Sequence, residues 1–264
     1  MVSLMGSTSG GRYLYAQIVG AAMQRTEAVE HHGVGLSFAV PNAQNKFRVD
    51  TFSEKEPETL DWIDEMTPGS VLWDIGANVG LYSCYAAKRK GCRVFAFEPS
   101  VFNLELLARN VFVNNLAALV TIVPLPLSES RCVSTFNMTT TDWGGALSTF
   151  GESYGYDGKP LVKKFEFATV GLSMNDAAEL LRIPPPDYIK MDVDGIEHLI
   201  LKGGVPQLET VKSILIEIND AFQSQAQEAE QYLAAAGLHL KEKRRWKGTD
   251  GSSFETAFNQ IWNR

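Results

Sequence analysis

The stretch Val71–Ser83 reads VLWDIGANVGLYS. Val71–Ile75 is apolar apart from Asp74, as befits a buried strand of a parallel sheet. Helical patterning runs from Leu81 to Arg89, so the glycines between lie where a strand hands over to a helix. In open α/β sheets ligands bind there, at the carboxyl ends of the strands. The dinucleotide fingerprint at such a place is Gly-x-Gly-x-x-Gly, with backbone amides facing a pyrophosphate. Here the pattern is Asp74-x-Gly76-x-Asn78-x-Gly80. A carboxylate pointing into the cleft would repel a pyrophosphate and attract a cationic ligand.

Working outward, the rhythm of the loop repeats. A second strand is read over Arg93–Phe97, a helix over Val101–Asn115 and a third strand over Val120–Pro124. Such alternation predicts a Rossmann-like α/β fold with a mostly parallel sheet and helices on both faces. Strands over Cys132–Met138 and Phe165–Val170 flank residues 139–164, a loop rich in Gly, Ser, Thr and aromatics. Loops this long inside a domain are usually functional or mobile. Helices follow over Met174–Arg182, Ile196–Lys202 and Gln223–Ala236, with strands over Tyr188–Met191 and Ser213–Ile218. The tail, Leu238–Trp262, is expected to form a C-terminal antiparallel hairpin.

Upstream, a helix is read over Arg12–Arg25 and a short strand over Leu36–Val40. Ser53 with Glu56 reads as a capping box, with Pro57 in the first turn of the next helix. Residues 1–50 are thus expected as an N-terminal extension and 51–264 as one compact unit.

Composition narrows the class. With 264 residues at 45% hydrophobic content, the chain can bury a sizeable core. A formal net charge of -7 argues against a broad nucleic-acid surface. The basic cluster Lys241–Lys247 reads as a solvated edge, or as a contact for an anionic substrate or another subunit. Cys84, Cys92 and Cys132 have no metal-ligand spacing and no even disulfide framework. The N-terminus lacks the pattern of a signal peptide, and no apolar run approaches a membrane span. A soluble, cytoplasmic protein with reduced thiols is expected.

S-adenosylmethionine carries the cationic groups that an acid at the glycine turn would suit, an ammonium and a sulfonium. Gly76 would let the main chain approach it closely. Glu98 ends the second strand, where an acid accepts hydrogen bonds from ribose hydroxyls. Its plainer role is a charge at a helix N-terminus.

The segments VLWDIGANVGLYS, FAFEPS (Phe95–Ser100), YIKMDVDGIEHLILKGG (Tyr188–Gly204) and ILIEIND (Ile214–Asp220) together resemble the FkbM-type family of S-adenosylmethionine-dependent class I methyltransferases. The likeness in order and spacing runs from about Thr51 to Asn219, with Asp194 where the family more often has Glu. The resemblance implies that Asp74, Gly76, Asn78 and Gly80 contact the methionine end and Glu98 the ribose. It implies that Pro99, Ser100 and Ser128 border the adenine, and that Thr51, Phe52 and Glu56 close over the cofactor. The family includes enzymes that O-methylate hydroxyls of sugars and polyketide-type natural products, which leaves the acceptor open.

A hydroxyl acceptor needs a general base or a metal ion. Asp192, at the end of its strand, is the leading base, with Glu197 and His198 as alternatives. Asp194 and Glu197 also have a capping role available. Lys190 and Glu217 are expected either to pair under the site or, in the sharper reading, to leave Asp192, Glu217 and Asn219 free to collect a divalent cation. Trp143, Phe150, Tyr154 and Tyr156 suit an acceptor with rings and hydroxyls, free or as a glycan. Their alternative use is as a dimer contact. Three rival functions stay open: N-methylation of a small amine, nicotinamide-dinucleotide oxidoreduction, and cofactor binding without turnover.

Overall fold

A computed structural model describes residues 6–264. Helix α1 spans Ser9–Gln24 and buries none of its residues. Strands β1 (Thr26–His31) and β2 (Val34–Ala39) form an antiparallel hairpin, followed by α2 (Ala43–Asp50) and α3 (Pro57–Glu65). Then come β3 (Val71–Ile75), α4 (Leu81–Lys90), β4 (Arg93–Phe97), α5 (Val101–Val113) and β5 (Val120–Val123). An inserted antiparallel sheet follows: β6 (Cys132–Met138) runs between β7 (Thr149–Phe150) and β8 (Phe165–Gly171). The chain ends with α6 (Met174–Leu180), β9 (Tyr188–Met191), α7 (Glu197–Lys202), α8 (Val205–Leu208), β10 (Ser213–Asn219), α9 (Gln223–Ala235), β11 (His239–Arg244) and β12 (Ala257–Asn263).

The central sheet has the order β11-β12-β10-β9-β3-β4-β5. Strands β10, β9, β3, β4 and β5 are parallel, while β12 runs antiparallel to both neighbours. The expected tail hairpin is present, but its second strand enters the sheet between β10 and the first. This is a Rossmann-like α/β architecture with a mostly parallel central sheet.

The alternation of β3 sorts the core into two faces. Trp73 and Ile75 pack on one side with Phe97, Ile189 and Ile216, and Leu72 on the other with Ile63, Cys84 and Tyr85. Residues upstream of 51 contribute to the second face: Leu36, Phe38, Val40 and Val49 are at most 4% exposed within it. The outer edge of β2 is satisfied by α5, where Asn110 Oδ1 accepts from Ala39 N at 2.7 Å and Asn114 Oδ1 from Ser37 N at 2.9 Å. Backbone groups at a sheet edge need such partners when buried.

The expected capping box does not form. Glu56 is the N-cap of α3 without a side-chain cap bond, and Ser53 Oγ lies 2.9 Å from His31 Nδ1. Lys55 Nζ, 3.1 Å from Glu56 Oε1, draws that carboxylate away from the helix end.

Candidate active site

The glycine turn after β3 is shaped by backbone conformations that side chains resist. Gly76 has φ 83°, and a Cβ there would come within 1.9 Å of Asp192 O, so the β3 and β9 ends approach closely only because it is glycine. Gly76 N and Ala77 N both donate to Phe97 O at 3.0 Å, bending the chain across the end of β4. Asn78 follows with φ 51°. Gly80 serves a different purpose from the one expected: it is the N-cap of α4, packed over Leu107.

Glu98 is fixed at the wall of a cleft of about 560 Å³. Its Oε2 accepts from Asn78 N at 2.8 Å and its Oε1 from Ser100 N at 2.7 Å. Burial outweighs these bonds and pushes its carboxyl up to about 8. Pro99, Ser100, Leu125, Pro126 and Leu127 line the same lobe. Ser128 does not. Its N–H donates to Leu172 O at 2.8 Å, and its carbonyl packs beside Gly203. The β5 exit pairs with Leu172 and presents Leu125–Leu127 to the cleft instead.

Asp74 also departs from expectation. It is 2% exposed, on the face opposite Trp73 and Ile75, and is not part of the cleft wall. Its Oδ2 accepts from Ser83 Oγ at 2.5 Å, and Oδ1 has no partner among the described residues. In the β3–β9 register it lies beside Lys190. Burial raises its carboxyl, while Lys190 and Ser83 pull it down.

The acid at the centre of the cleft is Asp192. Two further lobes, of about 530 and 1180 Å³, join the first, and Gly76, Asn78 and Asp192 line all three. Asp192 Oδ2 lies 3.3 Å from Lys190 Nζ, with the lysine side chain 4% and the aspartate 33% exposed. Burial alone would lower the Lys190 ammonium, but Asp192, Asp74 and Glu56 raise it above the ordinary lysine range. The expected Lys190–Glu217 pair is therefore replaced by Lys190–Asp192. Glu217 faces the largest lobe, its carboxyl raised well above normal by burial and by the charges of Asp192 and Glu56.

Asn219 does not join Asp192 and Glu217 as a metal ligand. Its Nδ2 donates to Tyr156 O at 3.1 Å and its Oδ1 accepts from Ala221 N at 3.0 Å, so both ends are engaged.

Glu197 and His198 stand behind the cleft, away from the reacting position. Glu197, 1% exposed, accepts from Val193 N and Gly195 N at 3.0 Å and braces the turn that carries Asp192. Burial pushes its carboxyl up to about 7. His198 packs its ring edge-on to Phe222 at 5.9 Å, and burial lowers its imidazole. Asp194 is no helix cap either, because α7 begins at Glu197 with Ile196 before it. With φ 61° it turns its carboxylate to Leu147 N at 2.6 Å and Ser148 N at 3.3 Å. Burial, then the charge of Asp192, pushes it up to about 7.

Just upstream of that contact, residues 143–145 make a clasp. Trp143 O accepts from Asn42 Nδ2 at 2.9 Å and Asn45 Nδ2 at 2.8 Å. Gly144 O accepts from Gln44 Nε2 and Arg48 Nη2, each at 2.8 Å. Gly145 O accepts from Asn78 Nδ2 at 2.9 Å and Asn103 Nδ2 at 3.0 Å. Three successive carbonyls thus tie α2 to the glycine turn and α5.

Of the aromatic residues of this insertion, Trp143, Tyr154 and Tyr156 act from behind the walls. Trp143 packs on the cluster of Ala39, Val79 and Leu106. Tyr154 meets Phe222 edge-on at 5.3 Å. Tyr156 stacks at 4.5 Å on Phe254, and it is Phe254 that lines the large lobe. Phe150 lines the Glu98 lobe, as Thr51, Phe52 and Glu56 line the second.

Some cleft residues escaped the sequence reading, and others entered it only as part of the basic cluster. Arg48 and Lys55 line the second and third lobes, and Arg245 and Trp246 the third. The last two belong to the basic cluster, in which Lys241 pairs with Glu65 at 2.8 Å, Lys243 with Asp220 at 2.6 Å, and Arg244 with Glu242. Arg48 carried no signal, being one basic residue in a polar segment.

The site fits an adenosyl amino acid. An apolar lobe carries a fixed carboxylate for hydroxyl donors, and the next lobe mixes Arg48, Lys55 and Lys190 with Glu56 and Asp192. Where the lobes meet, the buried Oδ1 of Asn78 lacks a partner among the described residues.

Comparison with known proteins agrees. The methyltransferase FkbM domain matches residues 74–240. The hexuronic acid methyltransferase AglP of Haloferax volcanii is 26% identical over 200 residues, covering 75% of this chain and 76% of the relative. Among solved structures, Trm5b of Pyrococcus abyssi superposes with a TM-score of 0.50 at 15% identity, over 90% of this chain and 55% of that one. The precorrin-6y C5,15-methyltransferase of Geobacter metallireducens gives 0.45 at 15% identity, over 79% and 86%. The likeness to Trm5b concerns the fold alone. With the FkbM domain covering more than half of its length, the chain belongs to the FkbM family of S-adenosylmethionine-dependent methyltransferases.

Proposed function

We propose that the protein methylates a hydroxyl of a sugar or similar small molecule, free or within a glycan intermediate. The observation that carries this reading is the convergence of three lobes on Asp192. The Glu98 lobe takes the nucleoside, with Glu98 accepting from ribose hydroxyls. The second lobe takes the methionyl end, and the largest lobe the acceptor. In that last lobe Trp246 and Phe254 offer apolar faces while Asp192, Asp194, Glu217 and Asn259 offer polar atoms, a mixture suited to a sugar. The sugar-directed relative supports the same class.

S-adenosylmethionine supplies a methyl carbon bonded to a sulfonium, open to in-line displacement by an oxygen. Asp192 takes the proton of the acceptor hydroxyl, and Lys190 orients and balances its carboxylate. Gly76 keeps the main chain low enough for the two ligands to meet over it. Glu217, whose carboxyl burial and the charges of Asp192 and Glu56 raise above the usual range, lines the same lobe and offers the acceptor a further hydrogen-bonding group.

The test incubates the protein with S-adenosylmethionine and a panel of sugars, uronic acids and amines, reading methylated products by mass spectrometry. Methyl ethers on the sugars, lost in Asp192→Asn, would support the reading, and methyl esters on the uronic acids alone would replace it with carboxylate methylation. Methylated amines alone would replace it with N-methylation. Cofactor binding without any product across the panel would count against a small sugar acceptor.

A further inference from the structure

Arg48 stands in the last turn of α2, at the rim shared by the second and third lobes. Its Nη2 donates to Gly144 O at 2.8 Å, while its Nε is buried and without a partner among the described residues. The other cations lining these lobes each have an acid: Lys55 has Glu56 at 3.1 Å, Lys190 has Asp192 at 3.3 Å and Arg245 has Asp250 at 2.6 Å. Among the described residues, Arg48 has no carboxylate within ion-pair distance. Arg48 is half-buried, and a guanidinium whose Nε is shut off from water with no anion beside it is unfavourable; its planar fork of donors matches a carboxylate.

The charges around it limit the anion. The second lobe is lined by the cations Arg48, Lys55 and Lys190 and the acids Glu56 and Asp192, leaving one positive charge in excess. A single carboxylate balances that excess, whereas a dianionic phosphate would overshoot it beside two acids.

We propose that Arg48, with Lys55 beside it, is the seat of a ligand carboxylate at the junction of the cofactor and acceptor lobes. This rests on the methyltransferase reading above. Two carboxylates can reach the seat: the methionyl carboxylate of the cofactor, from the Gly76 side, and a carboxylate on the acceptor, from the Arg245 side. Both would accept from Arg48 Nε, the donor now unused.

The experiment compares wild type, Arg48→Ala, Arg48→Lys and Gln44→Ala by titration calorimetry. The probes are S-adenosylhomocysteine, decarboxylated S-adenosylmethionine, and glucuronate against glucose on the cofactor-saturated protein. Thermal melts establish that each variant is folded. If the cofactor supplies the carboxylate, Arg48→Ala weakens S-adenosylhomocysteine by about ten- to hundredfold and leaves the decarboxylated ligand unchanged. If the acceptor supplies it, the same loss falls on glucuronate and spares both adenosyl ligands. In either case Arg48→Lys recovers part of the affinity. Gln44→Ala, which removes the other side-chain donor to Gly144 O, leaves it intact.

The seat is overturned if Arg48→Ala weakens ligands with and without a carboxylate alike, or changes none. It is also overturned if Gln44→Ala reproduces the loss, since Arg48 would then act only by holding residue 144. Failure of the wild type to bind either adenosyl ligand is a different result. It would sink the reading of the cofactor, and the seat with it.

Discussion

Gly76 and Gly80 look alike in the sequence, and the structure separates them. A Cβ at Gly76 meets the backbone oxygen of Asp192, which cannot yield without moving β9, whereas at Gly80 it meets the end of the Leu107 side chain. Both have positive φ, so each alanine variant carries backbone strain. We expect Gly76→Ala to cost about 2–4 kcal/mol by urea denaturation and to abolish adenosyl-ligand binding. Gly80→Ala should cost about 1–2 kcal/mol and bind ligand within a few-fold of wild type. Equal losses in both variants would contradict the distinction. Glu98 allows a second test at this scale. Burial pushes its carboxyl up to about 8, above the ordinary glutamate range, so the native state holds the proton more tightly than the unfolded one. Its contribution to stability is present below the unfolded value and lost as pH rises through about 8. Asp194 and Glu197, each raised to about 7, act in the same direction. The ligand-free protein should therefore melt several degrees higher at pH 5 than at pH 8.5, with a shallower slope in Glu98→Gln. A flat or opposite profile in wild type would contradict the burial of these acids. The sequence located the motif acids, but not the face of each. Asp192 was expected at the cleft and lines all three lobes, whereas Asp74 was also expected there and period-2 alternation puts it opposite Trp73, under the sheet.

Regular alternation made the elements of the parallel sheet readable. Strands β3, β4, β6 and β9 were expected over their observed spans, and the ends of the other elements expected between β3 and α9 moved by at most two residues. What escaped was polar or depended on a distant partner. Strand β1 (TEAVEH) alternates without a buried residue, and α2 (AQNKFRVD) has too few apolar positions to show a helical stripe. The place of β12 between β10 and β11 follows from the sheet edge left open by β10, which a local pattern cannot reveal. The clasp at 143–145 is the clearest case, since its donors lie about a hundred residues upstream, on α2. We expect Asn42→Ala with Asn45→Ala, which together release Trp143 O, to speed hydrogen exchange across residues 139–148. The global cost should be about 1–3 kcal/mol, as for two or three hydrogen bonds. Unchanged exchange there would mean that the clasp does not hold the insertion.

At the scale of the whole molecule, the lobes draw on residues from Arg48 to Asn259, so the site exists only when the N-terminal segment and the sheet are packed together. The sequence suggested an extension ending at residue 50, because nothing in its local pattern marks Leu36, Phe38, Val40 and Val49 as partners of the helices that follow. In the fold these four share one core with Ile63, Tyr85 and Leu107, whereas α1 buries nothing. Two truncations should therefore behave differently. Removing residues 1–24 should leave the midpoint of thermal unfolding within about 2 °C of wild type, since surface changes cost little. Removing residues 1–50 strips four core side chains, at about 1.5–3 kcal/mol each, and takes Arg48 from the cleft. The remaining chain should be insoluble or partly unfolded and bind no adenosyl ligand. In the intact chain, S-adenosylhomocysteine at a hundred times its dissociation constant should add about 2.7 kcal/mol, raising a single melting transition by about 5–10 °C. A truncated 51–264 chain that melts cooperatively and still gains that shift would show that the sheet and its cofactor lobe fold without the N-terminal segment. A loss of binding on removing only residues 1–24 would instead give α1 a part in the site that its exposed face does not indicate.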